Sequence, residues 1–223
     1  MNLQICVPYE PCPFKCPSCI ANGRVKYSSL YDKDLVSYIK KLNELSKNYD
    51  YFVITGDTEP TLNSHWLKRV LFNLQDKETE LQTRNYNLKG YNLKGLKTLA
   101  YSITDNKSYL KAWRFRKIEG NNRLVILLTK DFDFLTAKNF ETMGYNQITF
   151  KVLQKTADSK TNEWIEKNRM KDLTNIYEII EKFNGTETSV RIDNNCQNSF
   201  SRYEIFRPNG LVYDSWESEE PIK

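Results

Sequence analysis

The 223-residue chain carries 33 Lys and Arg against 28 Asp and Glu, a net charge of +5, with 39% hydrophobic residues. These values describe an ordinary globular protein with one large domain or two small ones, and the mild positive excess permits nucleic acid or an anionic substrate without requiring either. No run approaches the roughly 18 apolar residues that span a bilayer, and "MNLQICVPYE" lacks the features of an export signal, so no membrane partner and a cytoplasmic setting are expected.

In chain order, "LQICV" (3–7) is a short apolar run that stops at Pro8 and predicts a first strand. A loop rich in cysteine and proline follows. From an N-cap at Asp32 or Asp34, "DLVSYIKKLNELSKN" brings Leu35, Tyr38, Ile39, Leu42 and Leu45 to helical spacing. "YFVIT" (51–55) predicts a second, buried strand ending at Gly56, and "SHWLKRVLFNLQ" a second amphipathic helix, with Thr61 or Asn63 suited to cap it. "ELQTRN" predicts a third strand, "LKTLAYSI" a fourth and "NRLVILLTKD" a fifth, with "KSYLKAWRFRK" as a helix between the last two.

"FLTAKNFETMG" predicts a helix stopped by Gly144, "QITFKVLQ" (147–154) a sixth strand, and the region up to Gly185 an interrupted helix. Apolar strands alternating with amphipathic helices predict parallel β/α units with helices over the sheet. The rhythm then breaks. "SRYEIFRPNGLVYDSWE" has two β-type runs around Pro208-Asn209-Gly210 and predicts a hairpin. Residues 1–185 therefore read as the α/β body and 186–223 as an extension packed on it, without a core of its own.

Two stretches stand out from this pattern. The tandem "YNLKGYNLKG" (86–95) is too short for a repeat fold and predicts a loop near the ligand-binding end. "AWRFRK" interleaves Trp113 and Phe115 with Arg114, Arg116 and Lys117, a combination able to stack on bases and hold phosphates. Its plainer reading is an amphipathic segment with buried rings and solvated cations.

Three of the five cysteines, Cys12, Cys16 and Cys19, share the segment "YEPCPFKCPSCIANG" in the spacing C-x3-C-x2-C. An odd count, tight clustering and no export signal argue against a disulfide framework. Such thiolates converge on one centre if the loop curls, and Pro11, Pro13 and Pro17 stiffen that curl. A zinc site built of four cysteines needs a fourth ligand from Cys6 or Cys196. Cys6 falls inside the first strand and Cys196 is remote, so each reads better as a bystander thiol. An iron–sulfur cluster suits the spacing better, and three ligands on four irons leave one iron open.

The second strand runs straight into "TGDTEPTLN". In a parallel α/β fold the carboxyl ends of the strands form the ligand face, so this loop and the cysteine loop lie side by side. A C-x3-C-x2-C loop after the first strand, joined by a glycine-containing "EPT" loop after the second, resembles the radical S-adenosylmethionine (radical SAM) enzymes over about residues 1–155. The resemblance implies an α/β fold, a partial (β/α)6 barrel with the C-terminal β-hairpin extension, and a [4Fe–4S] cluster on Cys12, Cys16 and Cys19. S-adenosylmethionine would chelate the open iron.

By the same resemblance, Gly56, Asp57, Thr58 and Glu59 would meet the methionine amino group. Ser18 would lie near the adenine, while Thr83, Arg84 and Asn85 line the pocket. Ser102 matches a ribose contact, and Lys130 a further polar contact. Ser18 stands where the family usually has an aromatic residue, and "GDTEP" is one residue longer than the family's "GGEP".

The implied chemistry is reductive cleavage of S-adenosylmethionine to a 5′-deoxyadenosyl radical, which abstracts hydrogen from a small-molecule or nucleotide-like substrate. An electron donor such as flavodoxin or ferredoxin is implied as a partner. The single histidine, His65, makes a Ser-His-Asp triad hard to build. Two alternatives are an activating enzyme that places a glycyl radical on a partner protein, and a non-catalytic zinc module, possibly for nucleic acid.

Overall fold

The computed structural model describes residues 2–8, 11–14, 16, 34–56, 58–127, 141–151, 189–193, 203–216 and 218–222. Their strands are β1 (Asn2–Cys6), β2 (Tyr51–Thr55), β3 (Glu78–Thr83), β4 (Thr98–Ile103), β5 (Asn121–Leu127), β6 (Gln147–Lys151), β7 (Ser189–Asp193), β8 (Tyr203–Phe206) and β9 (Val212–Tyr213). Together they make one sheet in the order β7-β6-β5-β4-β3-β2-β1-β8-β9. Every pairing is parallel except the last, β8 with β9. Among the described residues the sheet is open, with β7 and β9 as its edges, as a partial barrel requires.

The six predicted strands all form, and the C-terminal hairpin forms around Pro208-Asn209-Gly210, with Gly210 at φ 80°. In the sheet, two features differ from the sequence reading. A seventh parallel strand, β7, pairs with β6 from Gln147↔Ser189 to Lys151↔Asp193. Its five residues, "SVRID", are too few and too mixed to show a buried-strand signature in isolation. The hairpin's first strand also joins the sheet, beside β1 in parallel register from Asn2↔Tyr203 to Ile5↔Phe206.

Alternation along the strands sorts the two faces. Leu3 and Ile5, Phe52 and Ile54, Leu81, Leu99 and Tyr101 point to the helix side and are buried. There they meet α1 (Leu35–Leu45) through Tyr38 and Leu42, and α2 (Ser64–Asn73) through Trp66, Leu67 and Val70. Each such side chain contributes about 1.5–3 kcal/mol by leaving water. Phe206 of β8 stacks on Tyr38 with ring centroids 4.9 Å apart, so the C-terminal extension completes this core.

Both helices start at the caps their sequences offer. Asp34 Oδ1 accepts from the Val36 and Ser37 N–H groups at 3.0 and 3.1 Å, and Asn63 Oδ1 accepts from the Trp66 N–H at 2.9 Å. Between Asp32 and Asp34, and between Thr61 and Asn63, the structure selects the second of each pair.

The helix predicted over "KSYLKAWRFRK" is shorter than expected. One α turn, α3 (Asn106–Tyr109), gives way to a 3-10 turn at Ala112–Arg114. Past Leu110 the backbone hydrogen bonds tighten to i→i+3, Lys111 N–H to Ser108, Arg114 to Lys111 and Phe115 to Ala112, and side chains also reach the carbonyls of this turn. Tyr145 donates to the Ala112 carbonyl at 2.9 Å, and Lys117 Nζ reaches the carbonyls of Ala112, Trp113 and Phe115. The long helical region ahead of Gly185 lies outside the described residues. No helix among the described residues is long and apolar enough to cross a membrane.

The other face of the sheet is more polar. Glu80, 1% exposed, pairs with Arg123, and it accepts from the Tyr51 hydroxyl at 2.5 Å and from Gln82 Nε2 at 2.7 Å. Cys6 lies on this face, fully buried, with Ile205 and Tyr213 and with Trp216 packed against them. Its burial fits its place in the first strand. Cys196 lies outside the described residues.

Candidate functional site

Because β1 to β4 are parallel neighbours, their carboxyl ends open on one side. Four connections leave there: the cysteine loop after β1, the Gly56–Glu59 loop after β2, Arg84–Asn85 after β3 and Thr104–Asp105 after β4.

The described part of the cysteine loop curls around one carbonyl. The Phe14 carbonyl accepts from the Cys16 N–H at 2.9 Å, and Cys12 Sγ lies 3.7 Å from the same oxygen. Cys12 and Cys16 are both free thiols and partly exposed. Cys19, Ser18, Asp57 and Lys130 lie outside the described residues.

Gly56 is where the second loop turns. Its φ of 145° belongs to a region that L-residues rarely adopt. A Cβ built there would sit 2.7 Å from the Val7 nitrogen and 3.0 Å from Cys6 Sγ. Only glycine lets the loop lie against β1. Gly56→Ala is expected to destabilise the fold by about 2 kcal/mol through this clash and strain, read as a lower urea midpoint at unchanged m-value.

Glu59 is the hub of the corner. It is 5% exposed, and its Oε1 accepts from the Thr61 N–H at 3.1 Å, the Thr61 hydroxyl at 2.9 Å and the Thr83 hydroxyl at 2.5 Å. Its Oε2 accepts from the Arg84 N–H at 2.8 Å. The carboxylate therefore ties the β2 loop to the end of β3. Asn85 extends the network, since its Nδ2 donates to Thr61 Oγ1 at 3.0 Å and its own N–H donates to Thr83 Oγ1 at 2.9 Å. Thr58 is buried beside this hub, at 8% exposure.

Arg84 links the network to the cysteine loop. Its Nη1 donates to Cys16 Sγ at 2.7 Å and its Nη2 to Thr104 Oγ1 at 2.7 Å, while the guanidinium lies 5.6 Å from the centre of the Phe14 ring. Burial is the largest single influence and works against the charge, but the Cys16 sulfur and the Tyr86 hydroxyl together hold the guanidinium above its ordinary pKa. Asp105 adds a negative charge behind Thr104. Burial pushes its carboxyl up, and the Ser108 N–H and hydroxyl, with the Arg84 charge, hold it below the usual value.

Ser102 sits between Tyr101 and Ile103, which face the helices, so it turns to the open side of the sheet. Its carbonyl accepts from the Tyr86 hydroxyl at 2.8 Å. Of the residues predicted for the site, Cys12, Cys16, Glu59, Thr83, Arg84 and Asn85 are thus joined through described contacts. Thr61, Thr104 and Asp105 were not predicted there. Thr61 read as a helix cap, and Thr104 and Asp105 could have been found by position alone, since they follow β4 as Arg84 follows β3.

No family model and no curated protein matches the chain. Solved structures do. SuiB of Streptococcus suis bound to the precursor peptide SuiA is 14% identical, with a TM-score of 0.65 over 96% of this chain and 59% of that one. SuiB bound to S-adenosylmethionine gives 14% identity and a TM-score of 0.65, covering 96% of this chain and 60% of that one. A further SuiB structure gives 13% and 0.64 with the same coverage. The chain spans about 60% of the length of the SuiB chains it matches. At such identity the likeness establishes architecture alone: the chain has the α/β fold of SuiB.

Proposed function

We propose that this protein is a radical SAM enzyme, with a [4Fe–4S] cluster on Cys12, Cys16 and Cys19 and S-adenosylmethionine bound beside it. The observation that supports this most is the corner at the carboxyl ends of β1 to β4. There Arg84 donates to Cys16 Sγ while its own N–H is held by Glu59 of the neighbouring loop.

The donor set suits such a cluster. Thiolates are its usual ligands, Cys12 and Cys16 are free and partly exposed, and a guanidinium stands ready to balance their charge. When bound, the cluster would supply one electron to the sulfonium, releasing methionine and a 5′-deoxyadenosyl radical that takes hydrogen from the substrate. The residues of this chain hold and shape the site. Glu59 spends its carboxylate on Thr61, Thr83 and Arg84, which leaves the backbone carbonyls of Gly56–Glu59 to receive the methionine ammonium. Ser102, on the open face of β4, is suited to the ribose. Residues 1–185 carry this machinery and 186–223 flank it. A reducing cytoplasm, with a flavodoxin or ferredoxin as electron donor, fits the free thiols.

The substrate is a small molecule, a nucleotide or a peptide, the last suggested by SuiB's capture with SuiA. The test is anaerobic: reduced, reconstituted protein given S-adenosylmethionine should release 5′-deoxyadenosine, and none above a protein-free control would overturn the reading.

Arg84 is a positioning residue in this scheme. Arg84→Lys keeps the charge but loses the fork shared by Cys16 and Thr104. It is expected to bind iron about 10-fold less tightly, with an altered midpoint potential in an EPR-monitored titration.

A further inference from the structure

Apart from the Tyr86 hydroxyl on the Ser102 carbonyl, the tandem "YNLKGYNLKG" and the segment "AWRFRK" take no part in the site described above, yet the fold presses them together. The Tyr86 ring stacks on Phe115 with centroids 4.3 Å apart and planes 7° from parallel. Arg116 Nη1 donates to the carbonyls of Leu88 and Tyr91 at 3.0 and 2.7 Å, and Leu88 and Leu93 of the loop are themselves buried. Between the two segments lies a cavity of about 640 Å³ whose lining includes Lys89, Arg114 and Arg116 and, among the described residues, no carboxylate. Beside Arg114, Trp113 and Leu110 are 57% and 59% exposed.

The loop is also fastened to the candidate site. It starts directly after Asn85, and the Tyr91 hydroxyl donates to the Thr61 carbonyl at 2.6 Å. Whatever settles in the cavity therefore lies against the strap that holds Thr61, the partner of Glu59.

We propose that this cavity is a docking groove for an acidic peptide segment. Its free charge is sparse, because Arg116 is occupied by two loop carbonyls and leaves Lys89 and Arg114 to face a ligand. A nucleic acid strand needs a track of cations and open aromatic faces on which successive bases stack. Here Tyr86 is already stacked on Phe115, and Arg114 covers one face of Trp113 at 4.6 Å, so no run of open rings is left for successive bases among the described residues. Two cations beside an exposed indole and leucine instead match carboxylates flanking an apolar side chain. The proposal rests on the enzyme reading only in calling that peptide part of a substrate. Docking itself needs no cofactor.

The test is fluorescence anisotropy of the full chain with a labelled short peptide alternating Glu and Leu. Binding should weaken as salt rises and should be equal in wild type and in cluster-free Cys16→Ala protein. The Lys89→Glu/Arg114→Glu variant should bind about 10-fold more weakly or worse, while Lys40→Glu/Lys47→Glu, the same charge change on and just after α1, should stay within about 2-fold. If the first variant misfolds, Trp113→Ala, which removes an exposed ring, should also weaken binding. Three results would overturn the proposal: no peptide binding, equal weakening in both charge variants, or tighter binding of an oligouridylate of matched length. Peptide binding without cleavage of S-adenosylmethionine would support the groove and sink the enzyme reading.

Discussion

Cys16→Ala protein is expected to leave anaerobic reconstitution colourless, with iron falling from about four per chain to well under one, and to release no 5′-deoxyadenosine. The loss should be complete because the described residues offer no substitute ligand nearby. Cys6 is fully buried in β1, packed with Ile205, Tyr213 and Trp216. His65 lies exposed on α2. The fold should survive, since Cys16 is only partly buried and Arg84 keeps its Thr104 partner; the melting temperature should move by about 2 °C or less. Cys6→Ala gives the contrast. It removes a packed thiol, so stability should fall by about 1 kcal/mol while colour and iron are kept. If Cys16→Ala retains a full complement of iron, the three-thiolate proposal is finished.

How far the sequence alone leads depends on whether a signal is local. β2 is legible because "YFVIT" is a run of aromatic and β-branched residues that stops at a glycine the structure uses at φ 145°. The cysteine spacing and "GDTEPT" are equally local. β7 is not, because "SVRID" becomes a strand only when β6 offers it an edge. The helix over "KSYLKAWRFRK" is cut short where its backbone hydrogen bonds tighten to i→i+3, and Tyr145, which reaches one of its carbonyls, is remote in sequence. At the site, the sequence names Glu59 and Arg84 but not what they touch. That Glu59 spends its carboxylate on Thr83 and the Arg84 N–H follows from strand order, which sets the ends of β2 and β3 side by side.

That arrangement makes Glu59→Ala the substitution with the largest expected effect on stability. The carboxylate accepts four hydrogen bonds from Thr61, Thr83 and Arg84 in a corner where it is 5% exposed. Alanine leaves those donors without their acceptor, and each buried orphan costs about 1–3 kcal/mol, tempered where water can enter. A net loss of about 3 kcal/mol is expected, or roughly 6–12 °C in melting temperature for a chain of this size. Glu59→Gln keeps one carbonyl oxygen for the threonines but turns an NH2 group toward the Arg84 N–H, so it should fall between alanine and wild type. Thr83→Val alone should cost about 1 kcal/mol, and combined with Glu59→Ala it should add much less than that, because the shared hydrogen bond is already gone. A double-mutant cycle by urea denaturation measures this coupling. If Glu59→Ala instead melts within about 2 °C of wild type yet fails to bind S-adenosylmethionine, the carboxylate serves the ligand rather than the end of β3, and the backbone carbonyls lose their assigned role.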